Sequence, residues 1–197
     1  MLPSRFVDVG PADGSRHPYL YMPSKDSDYR NLSADSRRYI GLSYCWGSDP
    51  TLTTTASSLE TRKKGIHMMD LPQTIYDAVV ITRRLGIGYL WVDALCILQG
   101  TDDLAITDWK RESSKMADIY GNAFLTIAAA APRSGREGIY FSRKPPNWQV
   151  AMKFSAKINP PLNGPAYVGS KLHSVLALMS PCGIAAGHCR SAYFPLA

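Results

Sequence analysis

The middle of the chain reads Tyr89-Leu90-Trp91-Val92-Asp93-Ala94-Leu95-Cys96-Ile97-Leu98-Gln99. The segment 89–95 is apolar on both faces, which is typical of a central parallel strand covered by helices on each side. Polar side chains, Asp93 and Gln99, accompany the end of this strand. Open α/β sheets bind ligands at the carboxyl ends of their strands, so we expect a site at this position.

Further elements lie on both sides of this segment. Residues 39–44 and 124–130 are compact runs that indicate strands. Helices are predicted over 72–85, where Pro72 suits a first helical turn, and over 105–120. Their stripes comprise Ile75, Ala78, Val79, Thr82 and Leu85 in the first helix, and Ile106, Trp109, Ser113, Met116 and Tyr120 in the second. The order strand, helix, strand, helix, strand predicts an α/β fold, a parallel sheet with flanking helices.

The two ends of the chain differ from this central part. Residues 1–38 are rich in Pro, Ser, Asp and Arg, and only 6–9 and 19–22 indicate short edge strands. Residues 145–197 contain repeated prolines and no clear periodicity. We therefore predict an irregular N-terminal extension over 1–38, an α/β domain over 39–144 and an irregular C-terminal tail over 145–197.

Composition excludes several classes of protein. The net charge of +6 is modest and the basic residues are scattered, which argues against binding DNA or RNA. No run approaches the roughly 20 apolar residues that a membrane span requires, and the first ten residues lack a signal-peptide core. Four cysteines are too few for a disulfide framework in a chain of 197 residues. We expect a cytoplasmic protein with reduced thiols.

Motifs for metals and tightly bound cofactors are weak or absent. His173, Cys182, His188 and Cys189 do not follow a standard zinc spacing. The sequence contains no GxGxxG, no GxxxxGK[ST] and no GxSxG motif. Gly47 therefore indicates a tight turn and not a phosphate cradle. We predict no metal and no cofactor, although an anionic small molecule would suit the positive charge.

Glu112 is the first candidate for a chemical role. It borders the apolar stripe of the second predicted helix, one turn after Asp108 and one turn before Met116. Its carboxylate could therefore be half-buried beside a cleft. The alternative is an ordinary surface glutamate paired with Lys115 or Lys110.

The strand ends carry the other candidates. Asp93 could orient a ribose, or it could fix its loop through a backbone N–H, which is the commoner role of such an aspartate. Ser43, Tyr44 and Trp46 follow or end the strand 39–44. Trp46 could stack on an adenine or nicotinamide ring, although packing in the core is the more common fate of an aromatic side chain.

Three blocks of the sequence together resemble a known family. They are 39–47, 89–99 and 108–123, and in this order and spacing they resemble the HET (heterokaryon incompatibility) domain of filamentous fungi. The resemblance implies an effector of fungal non-self recognition and programmed cell death. It also implies activation through self-association or through a partner protein.

A second resemblance concerns chemistry. Asp108-Trp109-x-x-Glu112 looks like the Trp-x-x-x-Glu region of TIR-domain NAD glycohydrolases, to which HET domains are distantly similar. This implies a flavodoxin- or TIR-like sheet with Glu112 catalytic and NAD, or another nucleotide, as substrate. The ligand-binding residues would be Ser43, Tyr44, Trp46, Asp93, Gln99 and Trp109. The alternative is a non-enzymatic TIR-like module that acts by self-association.

Overall fold

A computed structural model describes residues 2–23, 29, 31–48, 52–130 and 132–140. Five strands form one sheet: β1 (Phe6–Asp8), β2 (Tyr19–Tyr21), β3 (Tyr39–Tyr44), β4 (Tyr89–Val92) and β5 (Leu125–Ala129). The helices are α1 (Leu59–Lys64), α2 (Gln73–Arg84), α3 (Asp93–Cys96), α4 (Asp103–Ser113) and α5 (Met116–Gly121), with a 3-10 turn at Met68–Asp70. None of the described helices is both long and apolar enough to cross a membrane.

The sheet has the strand order β2-β1-β4-β3-β5. Strand β3 pairs in parallel with β4 on one side and with β5 on the other. This confirms the predicted α/β fold, with three parallel strands at its heart and helices beside them. Parallel neighbours need a crossover connection, and α2 and α4–α5 occur in the two crossovers.

The N-terminal hairpin makes the sheet mixed instead of purely parallel. Strand β1 runs antiparallel to both β2 and β4, so it lies inside the sheet and β2 lies at its border. Phe6 and Val7 have no exposed surface. The two short N-terminal strands were predicted, but the interior position of β1 was not. The boundaries at 38 and 144 stay predictions, and the tail over 145–197 lies outside the described residues.

The central strand is shorter than predicted. Strand β4 ends at Val92, and the next four residues form the helical turn α3 instead of continuing to residue 95. Ala94, Leu95 and Cys96 are buried in this turn. Periodicity cannot separate a buried strand from a short buried helix, because both consist only of apolar residues.

The second predicted helix is divided and rotated. It consists of α4 and α5, with Asp102 capping α4 by accepting the N–H of Ala105 at 3.0 Å. The buried side chains of α4 are Ala105, Asp108 and Glu112. Ile106, from the predicted apolar stripe, is 40% exposed. The stripe was therefore wrong as the buried face of α4, since acidic residues with buried partners occupy that face.

Candidate functional site

The carboxyl ends of β3 and β4 meet at one border of the sheet because the two strands are parallel. Trp46, which follows β3, donates its indole N–H to both carboxylate oxygens of Asp93, at 3.1 Å each. Asp93 is the first residue after β4. Two of the predicted ligand-binding residues are therefore in direct contact.

Asp93 is a half-buried carboxylate with few donors. Besides the indole, it accepts the N–H of Ala94 at 2.7 Å, so it does bind a backbone N–H of its own turn. Burial raises the pKa of Asp93 to about 6, and the hydrogen bonds from Ala94 and Trp46 offset only part of this effect. Among the described residues, no ion pair involves Asp93.

The other predicted ligand-binding residues near this border differ in accessibility. Ser43 is exposed, and Tyr44 is half-buried. Gln99 turns its side-chain amide toward the carbonyl of Ile97 at 3.2 Å, and its backbone N–H bonds to Thr54 at 2.7 Å. Gln99 therefore holds its own loop in place.

Glu112 is sealed in the conformation described. Its side chain is 1% exposed and accepts the backbone N–H of Ser4 at 3.1 Å and the Ser4 hydroxyl at 2.6 Å. Arg111 Nε at 3.0 Å and Lys115 Nζ at 3.1 Å complete its partners. Burial opposes the charged form, but these hydrogen bonds outweigh it and lower the pKa of Glu112 to about 2. The carboxylate is therefore ionised at neutral pH.

Asp108 and Glu112 belong to one ionic cluster, since both pair with Arg111. One carboxylate oxygen of Asp108 binds Arg5 and accepts the N–H of Leu98 at 2.8 Å, and the other binds Arg111. Arg5 is 3% exposed and also donates to the carbonyl of Cys96 at 2.7 Å. Residues 4–5 are thus joined to α4 across more than 100 positions of sequence. Sequence reasoning missed Ser4 and Arg5, because no periodic pattern connects residues so far apart.

The carboxylates of Asp93 and Glu112 both act on one buried thiol, that of Cys96. Burial raises the pKa of Cys96 to about 12, and the charges of Asp93 and Glu112 both contribute to this rise. The remaining predicted ligand-binding residue, Trp109, is half-buried and packs against the hydrophobic core.

The described part of the chain contains no cluster of side chains suited to a metal ion. No group of three or more His, Cys, Asp or Glu side chains there could hold an ion. The weak zinc candidates His173, Cys182, His188 and Cys189 lie outside the described residues.

Gly47 sets the direction of the loop that carries Trp46. Its φ of +81° lies in the left-handed region, as expected for a tight turn, and an added Cβ would lie 2.6 Å from the Cβ of Ser134. Gly47→Ala should therefore lower the free energy of unfolding by about 1–3 kcal/mol. Thermal melts of the variant and of the unmodified protein would measure this loss of stability. Gly86→Ala is the matched control, because its φ of +69° is similar but nothing lies within 4 Å of the added Cβ. Equal losses in both variants would refute a contribution from the Ser134 contact.

Comparison with known proteins identifies a family. No curated protein and no solved structure matches the chain. The sequence model described as heterokaryon incompatibility protein (HET) matches residues 39–165, which is more than half of the 197 residues. This match covers β3, β4, β5 and the helices between them. The chain therefore belongs to the heterokaryon incompatibility (HET) family, which supports a role in heterokaryon incompatibility.

Proposed function

We propose that this protein is an effector of programmed cell death in fungal non-self recognition, and that it hydrolyses the N-glycosidic bond of NAD. The observation that carries this proposal is a pair of carboxylates with opposite partners: Glu112 is bound by Ser4 and two cationic side chains, and Asp93 only by neutral N–H groups. Both charges raise the pKa of the Cys96 thiol. Glu112 has a pKa lowered to about 2, whereas Asp93 has a pKa raised to about 6. Two acidic groups whose pKa values are pushed apart are a common basis for divided roles in catalysis.

The proposed role of Glu112 follows from its charge. Cleavage between nicotinamide and ribose expels a neutral leaving group, so the main requirement is stabilisation of an oxocarbenium-like ribose. A carboxylate that stays ionised at all physiological pH values supplies that negative charge. In the described conformation the Ser4 hydroxyl donates to Glu112 at 2.6 Å, which is the type of contact that a ribose hydroxyl would make. Substrate would therefore have to displace Ser4.

A second candidate function is a non-enzymatic module that acts by self-association or with a partner protein. One observation favours it: Glu112 is 1% exposed and its oxygens are already occupied by Ser4, Arg111 and Lys115. A buried ionic cluster of this kind anchors the N-terminal segment to α4 without any ligand. In this function, Glu112 is needed only for folding.

Glu112→Gln should separate the two functions. The amide keeps the shape but loses the charge and can accept from Ser4 with only one oxygen instead of two. Nicotinamide release should therefore fall by about 10²-fold or more. Because Arg111 and Lys115 lose a charged partner, we also expect a loss of about 1.5–3 kcal/mol in the free energy of unfolding. The measurement is free nicotinamide after incubation of the purified protein with NAD, at a temperature where both proteins are folded.

Asp118→Asn is the matched control, since Asp118 is exposed on α5. It should release nicotinamide at the unmodified rate. If the unmodified protein itself releases none while still killing cells, the association module is the correct function. Release by folded Glu112→Gln protein at the unmodified rate would remove Glu112 from the reaction.

A further inference from the structure

We infer that Asp93 is the general base that takes a proton from the attacking water during this hydrolysis. The inference rests on the proposed function and assigns a residue to the half of the reaction that Glu112 leaves open. In this role Asp93 acts on water, and Glu112 stabilises the ribose. Trp46 is a positioning residue, because its indole N–H holds both oxygens of Asp93 at 3.1 Å.

The surroundings of Asp93 differ from those of the two buried carboxylates of α4. Asp108 and Glu112 are 4% and 1% exposed, and each is paired with two cationic side chains. Asp93 is half-buried at the carboxyl end of β4, and its donors are the neutral N–H groups of Trp46 and Ala94. A carboxylate has about four acceptor sites, so these two donors leave Asp93 able to bind a water.

The charge of Asp93 is maintained at a cost. A buried carboxylate without a cation is less favourable than a neutral amide of the same shape. One oxygen of Asp93, Oδ1, accepts from both Trp46 and Ala94, so an asparagine oxygen in that position would keep both donors. Only the second contact of the indole, with Oδ2, would be lost. A charge that the fold does not need is evidence for a role in chemistry.

The proton balance of the step is simple. The oxygen of water forms a bond to C1′ of the ribose while one proton of that water passes to a carboxylate oxygen of Asp93. The C1′–N bond breaks, and its electron pair leaves with nicotinamide, which becomes neutral. Asp93 then returns the proton to solvent, so the products are ADP-ribose, nicotinamide and one proton. No oxidant, reductant or metal is required.

The pKa values support this division of labour. Glu112, with a pKa of about 2, is too weak a base to accept a proton from water efficiently. Burial raises the pKa of Asp93 to about 6, which makes it a stronger base that is still ionised at neutral pH. The charge of Asp93 raises the pKa of two neighbouring groups, Cys96 of α3 and Tyr120 of α5. Burial is the larger cause in both, and neither group titrates near neutral pH. A change of rate near pH 6 that is absent from Asp93→Asn would therefore report Asp93.

The test is Asp93→Asn in the full chain, with NAD as the probe and Asp118→Asn as the control. Nicotinamide release should fall by about 10²-fold or more in Asp93→Asn and stay unchanged in the control. The unmodified rate should rise with pH up to about 6 and then level off, and this rise should be absent from the residual rate of Asp93→Asn.

Thermal stability distinguishes a base from a structural anchor. Folding raises the pKa of Asp93 from 3.8 to about 6, so the charge destabilises the fold above pH 6 and has no such effect below pH 3.8. The Tm of Asp93→Asn should therefore equal or exceed that of the unmodified protein at neutral pH, and any gain should disappear in acid.

Three outcomes would overturn the inference. Cleavage by Asp93→Asn at the unmodified rate would remove Asp93 from the reaction and leave the proposed function intact. Lost activity together with a lower Tm at neutral pH would assign Asp93 to the fold. An unmodified protein that releases no nicotinamide would refute the proposed function and, with it, this role of Asp93.

Discussion

Replacing Trp91 by alanine should lower the free energy of unfolding by about 3–5 kcal/mol, the usual cost of emptying a buried aromatic site. Trp91 lies in the central strand β4 and has no exposed surface. Its ring packs edge-on against Tyr120 of α5, with 5.3 Å between the ring centroids. The substitution therefore removes a contact that joins the sheet to a helix. Denaturant titration of both proteins measures the difference.

A matched control for this substitution is Met69→Ala. Met69 is 89% exposed, so its removal should change the free energy of unfolding by no more than about 0.5 kcal/mol. If Trp91→Ala and Met69→Ala gave the same small change, the packing of Trp91 against Tyr120 would contribute nothing to stability.

Replacing Arg5 by alanine should have an effect of similar size, about 3–5 kcal/mol, because it leaves a buried charge without its main partner. Arg5 is 3% exposed, binds the buried carboxylate of Asp108 and donates to the carbonyl of Cys96 at 2.7 Å. Both partners lie more than 90 positions away in sequence. Loss of Arg5 should therefore weaken the attachment of the N-terminal segment to α4, where only the Ser4 contacts with Glu112 would remain, as well as destabilise the sheet.

Arg111→Ala tests whether burial is the cause. Arg111 pairs with the same carboxylate, but its side chain is 50% exposed, so its loss should cost only about 1 kcal/mol or less. A double-mutant cycle with Arg5→Met and Asp108→Leu should show a coupling of more than about 1 kcal/mol. Additive effects in that cycle, or equal losses at Arg5 and Arg111, would contradict a buried pair.

The folded unit includes residues that precede the region of the family match. The HET family match begins at residue 39, yet β1 lies inside the sheet between β2 and β4. Ser4 donates two hydrogen bonds to Glu112 of α4, and Arg5 pairs with Asp108 of the same helix. The N-terminal segment is therefore a structural part of the domain that contains the matched region, even though its own composition indicated only an extension.

Much of the core architecture was predictable because it depends on local pattern. Apolar runs at β3, β4 and β5, separated by helical stripes, led to the confirmed α/β fold. The contact between Trp46 and Asp93 follows from the same reasoning, since parallel strands that end together bring the next residues together. Family membership was also accessible from sequence, through three blocks in a fixed order.

The state of the acidic residues could not be read from local pattern. The sequence placed Glu112 and Asp108 one turn apart on a helix, but their burial depends on Ser4 and Arg5, more than 100 positions away. Ion pairs over such distances carry no periodic signal. Asp93 shows the opposite case: its place at the carboxyl ends of the parallel strands was predicted, although β4 ends at Val92 and not at residue 95. The absence of a cation beside it among the described residues was not predicted. Sequence pattern specified the fold because hydrophobic burial follows periodicity, whereas folding set the charge state of each carboxylate through its distant neighbours.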